Sequence, residues 1–237
     1  MDEDNPRIFI KIVLVACIFI GVGLYFTAPY FNSSQVFEAN KIKTMASAKT
    51  IWDTWVGSEL RREKEDVASD IHNIAGELVQ TAKMRSMPME VTDWILPFDK
   101  VAIALFAGAE NLPKAVLRKM NSLNRTVYLQ SDFKRAPLSW SFAVRIPEDA
   151  PKSTPVMWTR GLKEDGTWDI NLSPFDEAGG YILYVDGRVR WFDDLNSEEG
   201  GKLFKYGTRQ RTNNIAEAVF GGKDNILSSK VVLEEAE

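Results

Sequence analysis

The chain is short of several residues on which chemistry depends. Among 237 residues there is one cysteine and one histidine. Cys17 has no second thiol to pair with, so no intramolecular disulfide exists and the redox compartment cannot be read from cysteine usage. His72 has neither a cysteine nor a second histidine for a metal set, which removes the usual zinc ligand groups. Any Ser/His/Asp triad would have to use this same His72, and no Gly-x-Ser-x-Gly elbow presents a nucleophile. The sequence therefore points away from an enzyme and implies no cofactor; His72 reads as a surface or half-buried helix residue.

A basic excess is also missing. The net charge is −4, which argues against DNA or RNA as a partner, because nucleic-acid binding needs cationic surface against phosphate. Phosphate-cradling loops are absent too. Gly179-Gly180, Gly200-Gly201 and Gly221-Gly222 lack the Lys-Ser/Thr or helix-opening context such loops need, so they read as turns. No internal repeat or low-complexity tract interrupts the chain. With 45% hydrophobic and 26% charged residues, the composition is that of a folded protein.

One long apolar run is present. Ile12 to Ala28 (IVLVACIFIGVGLYFTA) carries no charge, and extension to Ile8 gives about 21 residues, enough to cross a hydrocarbon core of roughly 30 Å. Lys11 lies near one end, where its stem can lift the ammonium to the headgroups. The run is too long for a secretory signal peptide, and Leu24-Tyr25-Phe26 is bulky where a cleavage site should be small. These features predict a short cytoplasmic segment at 1–7, a single-pass transmembrane helix at 8–29, and one extracytoplasmic domain at 30–237. The lipid bilayer is then the first partner. The charge bias of Arg7 and Lys11 against Lys41 and Lys43 leaves a slight lean to a cytoplasmic N-terminus.

Beyond Pro29, Ile42, Met45, Trp52, Trp55 and Val56 recur at helical spacing, so the helix is expected to continue after a kink or break. A second helical pattern follows at Val67, Ile71, Ile74 and Leu78, and more helix is expected between Asp99 and Met120, with Gly108 separating two apolar clusters. From about Arg125 the pattern changes to short aromatic and β-branched runs separated by Pro, Asp and Gly, which predicts strands as far as Phe192. In YILYV-DG-RVRWF, Asp186-Gly187 suits a two-residue hairpin turn. That register sets Tyr184 opposite Val189 and Ile182 opposite Trp191 on a core face, with Arg188 and Arg190 on a wet one. Trp52 and Trp55 are expected to pack the helix onto these residues. A short helix around Asn214 to Phe220 precedes a polar, acidic end.

Two segments resemble a known family. IFIKIVLVACIFIGVGLYFTAPYFNSSQVFEANKIKTMASAKT is similar to the N-terminal helix of type IV pilins and type II secretion pseudopilins, with Gly21 in the apolar span and Pro29-Tyr30 near its end. GGYILYVDGRVRWF resembles the C-terminal signature of pilin-like proteins that carry a His-x9-Asp-Gly motif. The resemblance implies an α+β fold in which the long N-terminal transmembrane helix continues into a pilin-like domain with inserted helices and an antiparallel sheet. It also implies residence in the bacterial inner membrane with a periplasmic domain, and a structural role through helix packing, with pilin-like subunits or secretion and pilus machinery as partners.

The chain departs from the family at three positions. Arg7 stands where the peptidase site has Gly, Ile12 stands where the family has Glu, and Asp176 stands at the motif's His. The first two agree with each other, since an uncleaved helix creates no buried amine needing a buried carboxylate. The competing expectation is a lone anchored domain that binds a ligand or envelope partner without assembling. Some pseudopilins bind calcium, and Asp176, Glu177, Asp186, Asp193 and Asp194 cluster near the hairpin. Their spacing lacks a calcium loop, so turn and solvent roles are expected of them.

Overall fold

The computed structural model describes residues 33–56, 70–121 and 126–230, and the chain divides into two compact units at Lys43/Thr44. In the first unit the described residues are helical from 33, with Lys41 and Glu38 paired at 3.3 Å. The expected membrane span at 8–29, with Ile12, Gly21, Pro29 and Tyr30, lies outside the described residues. Among those that are described, no helix is long and apolar enough to cross a membrane. The helix at 33–56 carries Glu38, Lys41, Lys43, Lys49 and Asp53, charges a hydrocarbon core would have to desolvate. The expected fold is corrected accordingly: it is α+β with an antiparallel sheet, and no transmembrane or single-pass helix is part of the described architecture.

In the second unit, the helical residues from 44 to 56 (the end of α1, 33–56) turn Ala48, Ile51, Trp52 and Trp55 inward. Helix α2 (Ile71–Met84) starts at Asp70, whose carboxylate accepts the His72 N–H and so satisfies one of the free donors of the first turn. Short helices α3 (Val91–Trp94) and α4 (Lys100–Leu105) follow.

The helix expected to run on to Met120 stops at Leu105. Ala107 and Gly108 take positive φ angles of 52° and 141°, and Pro113 follows, so the chain passes into strand β1 (Leu117–Asn121), paired with β2 (Thr126–Leu129). A last short helix of this half, α5 (Ser131–Arg135), leads into the main sheet.

The main sheet contains β3 (Trp140–Ala143), β4 (Pro155–Thr159), β5 (Gly180–Tyr184), β6 (Val189–Phe192) and, from the far end of the chain, β9 (Ile226–Ser228). Its order is β6-β5-β4-β3-β9, antiparallel throughout. A smaller pair, β7 (Leu203–Phe204) with β8 (Arg211–Thr212), and helix α6 (Ile215–Ala218) lie between β6 and β9 in sequence. Every residue of β3, β4 and β5 is buried, so the sheet is covered on both faces, and the strands read as continuous apolar runs instead of alternating ones.

Cross-strand partners share a face. Phe142, Met157, Leu183 and Val189 are successive partners on one face, where Trp55 meets Phe142 edge-on with ring centroids 5.7 Å apart. The opposite face carries Trp158 and Ile182, packed with Trp168, Leu195, Leu203, Ile215 and Val219 in a second core. Burying a large apolar side chain contributes about 1.5–3 kcal/mol, so each layer holds the sheet from its own side.

Just past the end of β4 lies a buried ion pair. Arg160 donates to both oxygens of Asp99 at 2.8 and 2.9 Å, and also to the carbonyls of Leu138 and Leu172. Asp99 in turn caps α4 through the Val101 N–H and accepts the Ser139 hydroxyl. The pair links α4, β4 and the loops at 138 and 172, with its hydrogen-bonding capacity directed at defined partners.

Candidate functional site: the hairpin, the cleft and the sheet edges

The hairpin that carries the sequence signature is built on a three-residue loop, Val185-Asp186-Gly187. The Gly187 N–H donates to the Tyr184 carbonyl at 2.8 Å, and the Tyr184 N–H donates to the Arg188 carbonyl at 2.9 Å. Gly187 has φ of 79°, the left-handed state that ends such a loop with a bulge. The expected two-residue turn is one residue too short, and the register moves with it. Val189 pairs with Leu183, Trp191 with Tyr181, and Ile182 with Arg190.

Ile182 and Tyr184 are therefore corrected from the helix-facing side to the opposite core. Trp191 instead meets Tyr181 and Phe175, with centroids 5.1 Å away in each case. Trp52 reaches the turn itself, for a Cβ placed on Gly187 would stand 2.6 Å from its Nε1. Trp52 and Trp55 are neighbours, with centroids 5.3 Å apart.

Burial pushes the Tyr184 phenol up to about 12, against the opposing pull of Arg190 and Arg188. The Arg188 guanidinium lies 5.4 Å from the centre of that ring.

The acidic residues around the hairpin are engaged separately. Asp176, at the position of the motif's His, pairs with Lys100; Asp186 pairs with Arg188; Asp193 accepts the Trp191 indole N–H at 2.6 Å. Asp194 accepts from Lys202, whose hydrogen bond holds its carboxyl below the usual range. Glu177 lies in the short turn Asp176–Ala178. No three His, Cys, Asp or Glu side chains among the described residues group so as to hold a metal ion.

His72 is more enclosed than expected. Its Nδ1 lies 3.0 Å from Asp70 Oδ1 and its Nε2 lies 2.9 Å from the Ala136 carbonyl, with Phe133 edge-on to the ring. Its place is structural, pinning the start of α2 to the segment after α5.

Gly180 explains the Gly-Gly that precedes β5. A Cβ there would fall 2.0 Å from Thr159 Oγ1, the atom that also accepts the Tyr181 N–H at 3.1 Å. The strand approaches its neighbour too closely for a side chain.

On the sheet face away from α1 there is a cleft of about 300 Å³, lined by residues of β3, β4 and β9, the 160–172 loop and α6. Strand β9 was not anticipated, because Ile226-Leu227 is a short apolar pair in a polar stretch and its partner β3 lies more than 80 positions earlier. The Arg160–Asp99 pair was equally invisible, since nothing local marks two charges 61 positions apart as partners.

No protein-family model, curated protein or solved structure matches this chain. The pilin, pseudopilin, type II secretion, type IV pilus and His-x9-Asp-Gly expectations thus gain no support from known proteins.

Proposed function

We propose that this chain is a structural subunit of pilin-like build, working at the bacterial cell envelope through association with other protein chains and not through catalysis. The observation that carries this reading is the seating of helical residues 44–56 on one face of an antiparallel sheet, with Trp55 against Phe142 and Trp52 against the Asp186-Gly187 turn. That arrangement ties the turn of the resembling hairpin to the helix of the resembling N-terminal segment. The same helix leaves a second face to solvent: Met45 and Val56 are 44% and 40% exposed, three turns apart, with the Lys49–Asp53 ion pair between them. Such a face, apolar at intervals and charged between, suits side-by-side packing of helices.

The test places a thiol on that face. In the native host, Met45→Cys combined with Cys17→Ser is expected to give oxidation-dependent dimers of this chain or heterodimers with like subunits, whereas a thiol at Lys134 on α5 is not. Persistent monomers at Met45→Cys, under conditions in which the protein is at native abundance, would remove the reading.

A further inference from the structure

The two edges of the main sheet differ in how they meet solvent. Edge strand β6 is flanked by exposed Arg188 and carries exposed Arg190, charges that discourage another strand from pairing there. Edge strand β9 has no charge: Ile226 and Leu227 are half-buried and Ser228 is exposed. The Val144 N–H donates to the Asn225 carbonyl at 2.8 Å, which makes Ala143↔Ile226 and Ser141↔Ser228 non-hydrogen-bonded pairs. The backbone groups of Ser228 and the Ile226 carbonyl consequently point away from β3. The Ile226 N–H is held by the Lys223 carbonyl, and no partner for the outward-pointing groups is found among the described residues.

The cleft adjoins this edge. Ile226 and Ser228 form part of its wall, with Ser141, Trp158, Leu162 and Ile215 completing a mainly apolar lining. Of the charged residues in its lining, Lys223 pairs with Glu164 at 2.7 Å, Arg160 with Asp99 and Lys163 with Asp165, while the Asp169 carboxylate accepts the backbone N–H groups of Asn171 and Leu172, so the space favours an uncharged group. Its volume accommodates one large aliphatic or aromatic side chain.

We propose that β9 is the receiving edge for an extended strand of a partner protein, bound by backbone hydrogen bonds to Ser228 and Ile226, with one apolar side chain entering the cleft. Unpaired strand backbone beside a side-chain pocket is the combination that strand addition uses, the ladder giving affinity and the pocket selecting the sequence. The proposal rests on the reading of this domain as an association module, but it concerns the sheet edge and not the α1 face.

A random heptapeptide library displayed on phage, selected on the full chain, supplies the ligand. Enriched peptides are expected to alternate apolar and polar residues, and to slow hydrogen exchange at the Ser228 amide when added as synthetic peptides. Ser228→Pro removes the outward donor without touching the bonds to β3, and is expected to weaken binding about tenfold, the scale of one backbone hydrogen bond. Ala216→Trp, which fills the cleft from α6, is expected to abolish binding while the melting temperature stays near that of the parent. Either variant decides the matter if the other fails to fold.

The proposal is overturned if no such peptides are enriched, if they bind both variants as well as the parent, or if binding appears only after residues 231–237 are deleted. Failure here together with crosslinking at Met45→Cys leaves the association reading standing. Failure of the crosslink with peptide binding intact removes the pilin-like reading and leaves β9 as a strand-receiving edge on its own evidence.

Discussion

Tyr184 shows how one side chain records the layered construction of the molecule. It sits in the far-side core, 5% exposed, and its phenol is held neutral by burial although Arg188 and Arg190 favour the phenolate. As pH rises past the ordinary value of 10, the unfolded chain releases its proton while the folded chain keeps it until about 12. The stability that the neutral phenol contributes is therefore complete below pH 10 and lost as pH rises through 12. Absorbance titration at 295 nm is expected to show a late component that Tyr184→Phe removes. The same measurement locates Tyr184 in the protein, because a solvent-facing phenol would titrate near the ordinary value of about 10.

At the scale of elements, the hairpin turn and α1 act as one unit. Gly187→Ala imposes a left-handed backbone on a residue with a side chain, costing about 1–2 kcal/mol, and also presses a methyl group toward Trp52 Nε1. Gly187→Asn tolerates the backbone angle but keeps the clash, so chemical denaturation is expected to rank stability as parent, then Asn, then Ala. Equal stability for Asn and parent would mean that Trp52 yields without cost.

This turn also shows where sequence reading stops. Asp186-Gly187 identified a hairpin from local chemistry alone, because a left-handed position and flanking apolar runs are both written in neighbouring residues. Whether Val185 belongs to the loop or to the strand depends on what covers each face, and that is decided by α1 on one side and the 195–219 segment on the other. The helical pattern of α2 at Ile71, Ile74 and Leu78 was legible for the same local reason, whereas the Leu117–Asn121 strand was not, since helix-forming residues there are overruled by Gly108, Pro113 and pairing with β2. The candidate edge at β9 was the least legible of all, since its identity as a strand comes wholly from β3.

Across the whole molecule, the Asp99–Arg160 pair joins parts that no single element connects. Replacing Arg160 with Met leaves the Asp99 carboxylate buried beside Ser139 without its counter-charge, and is expected to cost roughly 3–5 kcal/mol in urea unfolding. The double variant Arg160→Met with Asp99→Leu is expected to recover a large part of that loss, because the charge is removed with its partner. No recovery would show that the hydrogen bonds to Leu138 and Leu172, and not the ion pair, set the cost.

The late arrival of β9 has a consequence for biosynthesis. A ribosome moving along this message produces β3 some eighty residues before the strand that will flank it, so during translation Trp140 and Phe142 belong to an open margin of a growing sheet. A nascent chain released before Ile226 exposes that margin to its neighbours. Chaperone dependence in such truncations, easing once residues up to Ser228 are included, follows from strand order alone.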